Sequence, residues 1–129
     1  MNLLDEIYLT NRWFADRLAE MAPLGKPGNG IAWERMSELN DYAYFVLLFG
    51  QLEDFIDREY EEFVGPCEET TFMYRVNMLY DEGGEEQEII SHYYGLRCEI
   101  AHGYAEPGKM KGKIHIADVY KRIEEILTF

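Results

Sequence analysis

The chain has 129 residues, of which 47% are hydrophobic and 15% aromatic, so it carries enough apolar surface for one domain with its own core, spanning 1–129, and too much for intrinsic disorder. Its net charge of −13 weighs against broad electrostatic adhesion to nucleic acid, DNA included, or to anionic lipid, which draws on a basic surface. The longest apolar run, Tyr42 to Gly50, falls far short of the roughly 20 residues that span a bilayer, the N-terminal Met-Asn-Leu-Leu-Asp-Glu has acid where a secretory signal has Lys or Arg, and Cys67 and Cys98 are too few for a disulfide framework; a cytoplasmic protein with reduced thiols and no membrane association is expected.

Asn2 is a plausible N-cap for a first helix with Asp5 and Glu6 in its first turn, and Leu3, Ile7, Phe14, Leu18 and Met21 are spaced to share a face. It stops at Pro23, because the run from Pro23 to Gly30 holds two prolines and three glycines and cannot continue a helix. From about Glu34 to Phe63, Leu39, Tyr42, Phe45, Phe49, Leu52, Ile56, Tyr60 and Phe63 recur every three or four residues. This predicts one long helix of roughly 45 Å, with Gly50 as a point where it can bend. After Gly65-Pro66, the residues Phe72, Val76, Leu79 and Tyr80 fit a shorter helix, with a strand as the alternative given Thr70, Thr71, Val76 and the aromatics. Glu85, Glu86 and Glu88 suit the first turn of a fourth helix, with Ile89, Tyr93, Leu96 and Ile100 as its buried stripe and Gly103 as its stop. A polar loop from Tyr104 to Lys113 follows, and Ile116, Val119, Ile123 and Ile126 mark a last helix, preceded by a short piece at 113–116 that can be extended. The expected fold is all-α, an up-and-down bundle of four to five helices.

Charge is divided unevenly along this layout. Residues 1–96 hold 6 Lys and Arg against 20 Asp and Glu, net −14, whereas 97–129 hold 6 against 5, net +1. The C-terminal quarter is therefore where a phosphate is best accommodated, with Lys109, Lys111 and Lys113 close together in the polar loop. No His-Glu-x-x-His or Cys-x-x-Cys spacing is present, so neither a metal nor a cofactor is expected. Tyr42, Tyr44, Phe45 and Phe49 fit core or dimer surface, Cys67 and Cys98 fit packed thiols, and His92 and His115 fit surface or capping imidazoles.

His102 differs in its surroundings, Tyr94-Gly95-Leu96-Arg97-Cys98-Glu99-Ile100-Ala101-His102-Gly103-Tyr104, which put a guanidinium, an imidazole and a phenol within eight residues at a helix end. Arg97, four residues, His102, one residue and Tyr104 resemble the R-x4-H-x-Y form of the motif of the HEPN superfamily (higher eukaryotes and prokaryotes nucleotide-binding domains). HEPN domains are small helical bundles of similar size with the motif late in the chain, so the resemblance covers most of the chain by layout and about ten residues by motif. Ribonuclease members commonly place a polar residue such as Asn directly after the arginine, where this chain has Cys98.

The resemblance implies a homodimer whose two motifs face each other and cut RNA without a metal. Arg97 would hold the phosphate and stabilise charge on its non-bridging oxygens. His102 would move the proton of the ribose 2′-hydroxyl or of the leaving 5′-oxygen, giving a 2′,3′-cyclic phosphate. Lys109, Lys111 and Lys113 would guide RNA, and Glu99 would pair with Arg97 or orient a basic group. In HEPN toxins paired with a minimal nucleotidyltransferase, the motif tyrosine receives AMP from the partner, which implies Tyr104 as a control point and a nucleotidyltransferase antitoxin as partner. Five steps of about 100° set His102 roughly 140° around the helix from Arg97. Convergence therefore needs Arg97 to curl, the helix to end irregularly at Gly103, or the groups to meet across a dimer axis. Three readings stand at this point: a metal-independent endoribonuclease acting as a toxin or defence protein, a non-catalytic HEPN-like module that binds a nucleotide or partner protein, and a bundle that serves assembly alone.

Overall fold

The computed structural model describes residues 1–107, 109–110 and 114–128, with Tyr104 described by its backbone alone. Five helices pack together: α1 (Leu3–Met21), α2 (Trp33–Phe63), α3 (Phe72–Leu79), α4 (Glu85–Glu99) and α5 (Ile116–Leu127). The fold is an all-α helical bundle, with no strand among the described residues. Residues 72–79 are helical because the Thr71 side chain accepts the Tyr74 N–H as an N-cap, which outweighs the β-preference of the aromatic and branched residues nearby. Asn2 caps α1 in the same way through the Asp5 N–H.

The long α2, about 46 Å at 1.5 Å per residue, is the axis on which the others lie. Asn11 of α1 meets Asp41, while Leu18 and Ala22 lie by Trp33 and Ser37, so α1 runs against α2. Tyr93 of α4 packs on Phe45 at 5.9 Å between ring centres, and Arg35 at the start of α2 reaches Ala105 beyond α4, so α4 also runs against α2. Ile114 lies by Tyr42 and Ile126 by Phe55, so α5 runs with it. The short α3 bridges α2 and α4 through Phe72, which stacks on Tyr94 at 5.1 Å and meets Phe49 edge-on at 5.5 Å.

The core is built from α2 outward: Phe45, Leu48, Phe49, Leu52 and Ile56 are buried, joined by Leu4 and Ile7, Val76, Ile90 and Tyr93, and the stripe of Ile116, Val119, Ile123 and Ile126. The α5 stripe is the one its spacing predicts. On α1 the buried face is Leu4, Ile7 and Asn11, with Leu3, Phe14 and Met21 exposed, because Asn11 enters the interior with its hydrogen bonds met. Along α2, Leu39 and Phe63 are exposed and Leu48 is buried in addition to the predicted residues; the uncharged middle, Tyr42 to Leu52, is apolar on every side and does not itself specify that Leu48 turns inward. On α4 the buried aliphatic is Ile90, with Ile89, Leu96 and Ile100 half-buried. Gly50 lies inside one continuous helix.

Polar networks tie α1 to its neighbours. Asn11 is 0% exposed, donates to Asp41 Oδ1 at 3.0 Å and accepts from Arg12 Nε at 2.8 Å, while Arg12 Nη2 lies 3.4 Å from the Asp41 carboxylate. The Tyr120 hydroxyl sits 2.5 Å from Asp5 Oδ1 and 2.8 Å from Glu124 Oε2, with its ring stacked on Tyr8 at 4.2 Å. At the far end of α2, Arg75 Nε donates to Asp57 Oδ1 at 2.8 Å and Nη1 to the Thr70 carbonyl at 2.9 Å. Both cysteines are free thiols. Among the described residues no helix is long and apolar enough to cross a membrane.

Candidate functional site

The motif lies where α4 ends, at the same end of the bundle as the start of α2. The Ile100 N–H is shared between the Leu96 and Arg97 carbonyls, and a wide π-type turn over Ile100–Tyr104 follows. It breaks at His102 (φ −92°, ψ 16°) and Gly103 (φ 85°, ψ 10°). Glycine suits that left-handed position because a Cβ there costs conformational energy. The stop is therefore where the sequence places it.

Its effect on the motif is limited, since the non-helical dihedrals begin at His102 itself and the residues between it and Arg97 follow a helical path. Arg97 comes four residues after the buried Tyr93 and seven after the buried Ile90, so it continues the core-facing stripe of α4 and is half-buried. His102 comes seven residues after the exposed Gly95 and is itself exposed. The irregular end is present, yet it does not bring the two side chains onto one face. Neither makes a side-chain hydrogen bond or ion pair among the described residues.

Arg97 sits within electrostatic reach of Tyr94. The Tyr94 hydroxyl titrates above its ordinary value because it hydrogen-bonds Cys98, with that thiol's charge, burial and Glu53 adding to the rise and the Arg97 guanidinium opposing it. Cys98 is half-buried one turn after Tyr94, whose ring stacks on Phe72 of α3. Glu99 is half-buried and forms no ion pair with Arg97 among the described residues, as expected for two positions that do not face each other on a helix.

Lys109 is exposed just past the turn, where its N–H bonds the Glu106 carbonyl at 3.1 Å. The side chain of Tyr104, together with Lys111 and Lys113, lies outside the described residues. Arg35 is a contributor that local spacing does not reveal. Its guanidinium donates to the Ala105 carbonyl and to Glu38, pinning the segment after Gly103 to the start of α2. Seventy residues separate that pair in sequence, so no motif carries the signal.

Electrostatically this end is mixed. Glu34, Glu38 and Asp41 of α2 gather near Tyr42 and His115 around a hollow of about 280 Å³. Burial, Glu38 and Asp41 raise the Tyr42 hydroxyl above its ordinary value, against the pull of Arg35. Among the described residues no group of three or more His, Cys, Asp or Glu side chains is arranged to hold a metal ion. Comparison with protein-family models, curated proteins and solved structures gives no match for this chain.

Proposed function

We propose that the protein is a HEPN-like, metal-independent endoribonuclease that acts in the cytoplasm as a homodimer, a toxin or defence protein whose site joins Arg97 and His102 of two copies. The observation that supports this reading most is the state of the two side chains. A half-buried guanidinium and an exposed imidazole stand at one helix end without protein partners among the described residues, in a protein that pairs most of its other arginines. Their separation around α4 argues for sharing across a two-fold axis. Support for a second copy comes from α2, which carries no charge from Tyr42 to Leu52 yet leaves Ala43, Val46 and Leu47 exposed, the last by 50%.

In the proposed reaction the ribose 2′-oxygen attacks phosphorus while its proton passes to the neutral His102 imidazole of one copy, the other copy's His102 serving as the acid. Arg97 neutralises the phosphorane oxygens, and His102 in its imidazolium form protonates the departing 5′-oxygen, leaving a 2′,3′-cyclic phosphate. AMP placed on Tyr104 by a nucleotidyltransferase partner would add negative charge beside the site and hinder RNA phosphate from entering. Lys109, with Lys111 and Lys113, would steer the strand.

The deciding experiment is cleavage of a mixed RNA substrate in excess EDTA by the wild type, His102→Ala and Arg97→Ala, each first verified as folded. Cleavage by the wild type with cyclic-phosphate ends, lost in both variants, is the expected result. Intact RNA with the wild type would turn the reading to a non-catalytic HEPN-like module that binds a nucleotide or partner protein. The net charge of −13 and the carboxylates of Glu34, Glu38 and Asp41 beside the motif end favour that second reading.

A further inference from the structure

The walls of α4 and α5 stand apart and enclose a cleft of about 420 Å³, which neither Arg97 nor His102 lines. That volume lies within the roughly 300–1,000 Å³ typical of small-molecule sites. Its floor is apolar, formed by residues such as Tyr93, Leu96 and Val119. Its rim is polar on both sides. The α4 wall offers Glu85, Glu88 and His92, and the facing wall offers His115, Asp118 and Arg122.

All six side chains are exposed. None of them makes a side-chain hydrogen bond or an ion pair within 4.0 Å among the described residues. Asn11 with Arg12 and Asp41, and Tyr120 with Asp5 and Glu124, are by contrast committed to one another. Among the described lining residues the α4 wall has two carboxylates and no permanent cation, and the one permanent cation, Arg122, stands on the other wall with Asp118 one turn before it. Tyr93 on the floor is buried, and burial raises its hydroxyl above the ordinary value, with Arg122 lowering it and Asp118 adding to the rise. Opposite charges held apart by an apolar floor match a ligand that carries both charges and an apolar body.

We propose that the cleft between α4 and α5 binds a free α-amino acid with a large apolar side chain. Its ammonium group faces Glu85 and Glu88, its carboxylate faces Arg122, and its side chain covers the floor. This site is independent of the ribonuclease reading, and its test contains no RNA.

The full chain is titrated at pH 7 with L-tryptophan and L-leucine, and backbone amide shifts are followed by NMR. Tryptamine, which has the ammonium alone, and indole-3-propionate, which has the carboxylate alone, report the worth of each charge. Saturable shifts confined to the amides around Glu88, His92, Val119 and Arg122 are expected with at least one of the amino acids, and each single-charge indole should bind about tenfold more weakly than tryptophan. Arg122→Gln should bring tryptophan down to the affinity of tryptamine while leaving tryptamine unchanged, and Glu88→Gln should weaken tryptophan and tryptamine but spare indole-3-propionate. Both residues are exposed, so both variants should keep the wild-type thermal midpoint. The proposal is overturned if neither amino acid produces saturable shifts in the cleft, if tryptamine equals tryptophan in the wild type, or if Arg122→Gln leaves tryptophan binding intact.

Discussion

The seam where α1 meets α2 and α5 and the far end of α4 use polar residues in opposite ways. At the seam, Asn11, Arg12 and Asp41 satisfy one another, and Tyr120 joins Asp5 to Glu124, so polar chemistry is spent on fixing helix positions. At the end of α4, Arg97 and His102 have no such partners among the described residues, and the backbone around them is fixed by Gly103 and by Arg35 instead. The contrast separates two meanings of a charged or polar side chain near a helix interface. One holds the fold, and the other is held by it and remains available for chemistry.

The seam can be broken at its apolar base first. Leu48→Ala empties a position with no solvent exposure in the middle of α2, and a loss of about 2–5 kcal/mol in urea unfolding is expected. Next in size, Asn11→Ala removes the buried hub between Arg12 and Asp41, leaving them only their long direct contact of 3.4 Å, with an expected loss of about 1–3 kcal/mol by the same measurement.

A smaller effect depends on pH. The Tyr120 hydroxyl is pushed well above its reference value of 10.0, first by its hydrogen bond to Asp5 and then by that to Glu124. Folding thus favours the protonated phenol. Its contribution is complete below about pH 10 and is lost as pH rises beyond that toward the folded-state value. Wild type and Tyr120→Phe, compared by chemical unfolding, should differ most near neutrality and converge as the pH climbs past 10; a gap that stays constant to pH 11.5 would disprove the linkage. The smallest effects sharpen the comparison from the other side. His102→Ala and Arg97→Gln should each leave stability within about 0.5 kcal/mol of the wild type, because neither removes a fold-holding bond. A loss above 2 kcal/mol in either would move that residue to the structural class.

How far these regions can be read in advance differs for physical reasons. The α5 stripe is legible because Ile116, Val119, Ile123 and Ile126 are its strongest apolar residues and face one way. On α1 the spacing Leu4, Ile7, Asn11 is as helical as Leu3, Ile7, Phe14, and only the distant Asp41 shows why an asparagine belongs inside. The stop of α4 at Gly103 is legible because few residues accept its backbone angles. The divergence of Arg97 and His102 is legible from helix geometry, whereas the Arg35 tie is not, since tertiary packing alone brings it to Ala105. The cleft is equally hidden, because its walls are distant in sequence and its histidines, His92 and His115, read singly as surface imidazoles.

Gly103 also constrains how the chain can vary over time. A Cβ built there meets nothing within 4 Å, so the barrier to replacement is the backbone angle and not the space. A left-handed angle costs an ordinary L-residue roughly 1–2 kcal/mol whatever its size, and Asn and Asp bear it best. In a saturation library selected for whatever the α4 end does, position 103 should therefore accept Asn and Asp beside Gly and reject Ala, Val and Leu alike, a pattern ordered by backbone preference and indifferent to side-chain volume.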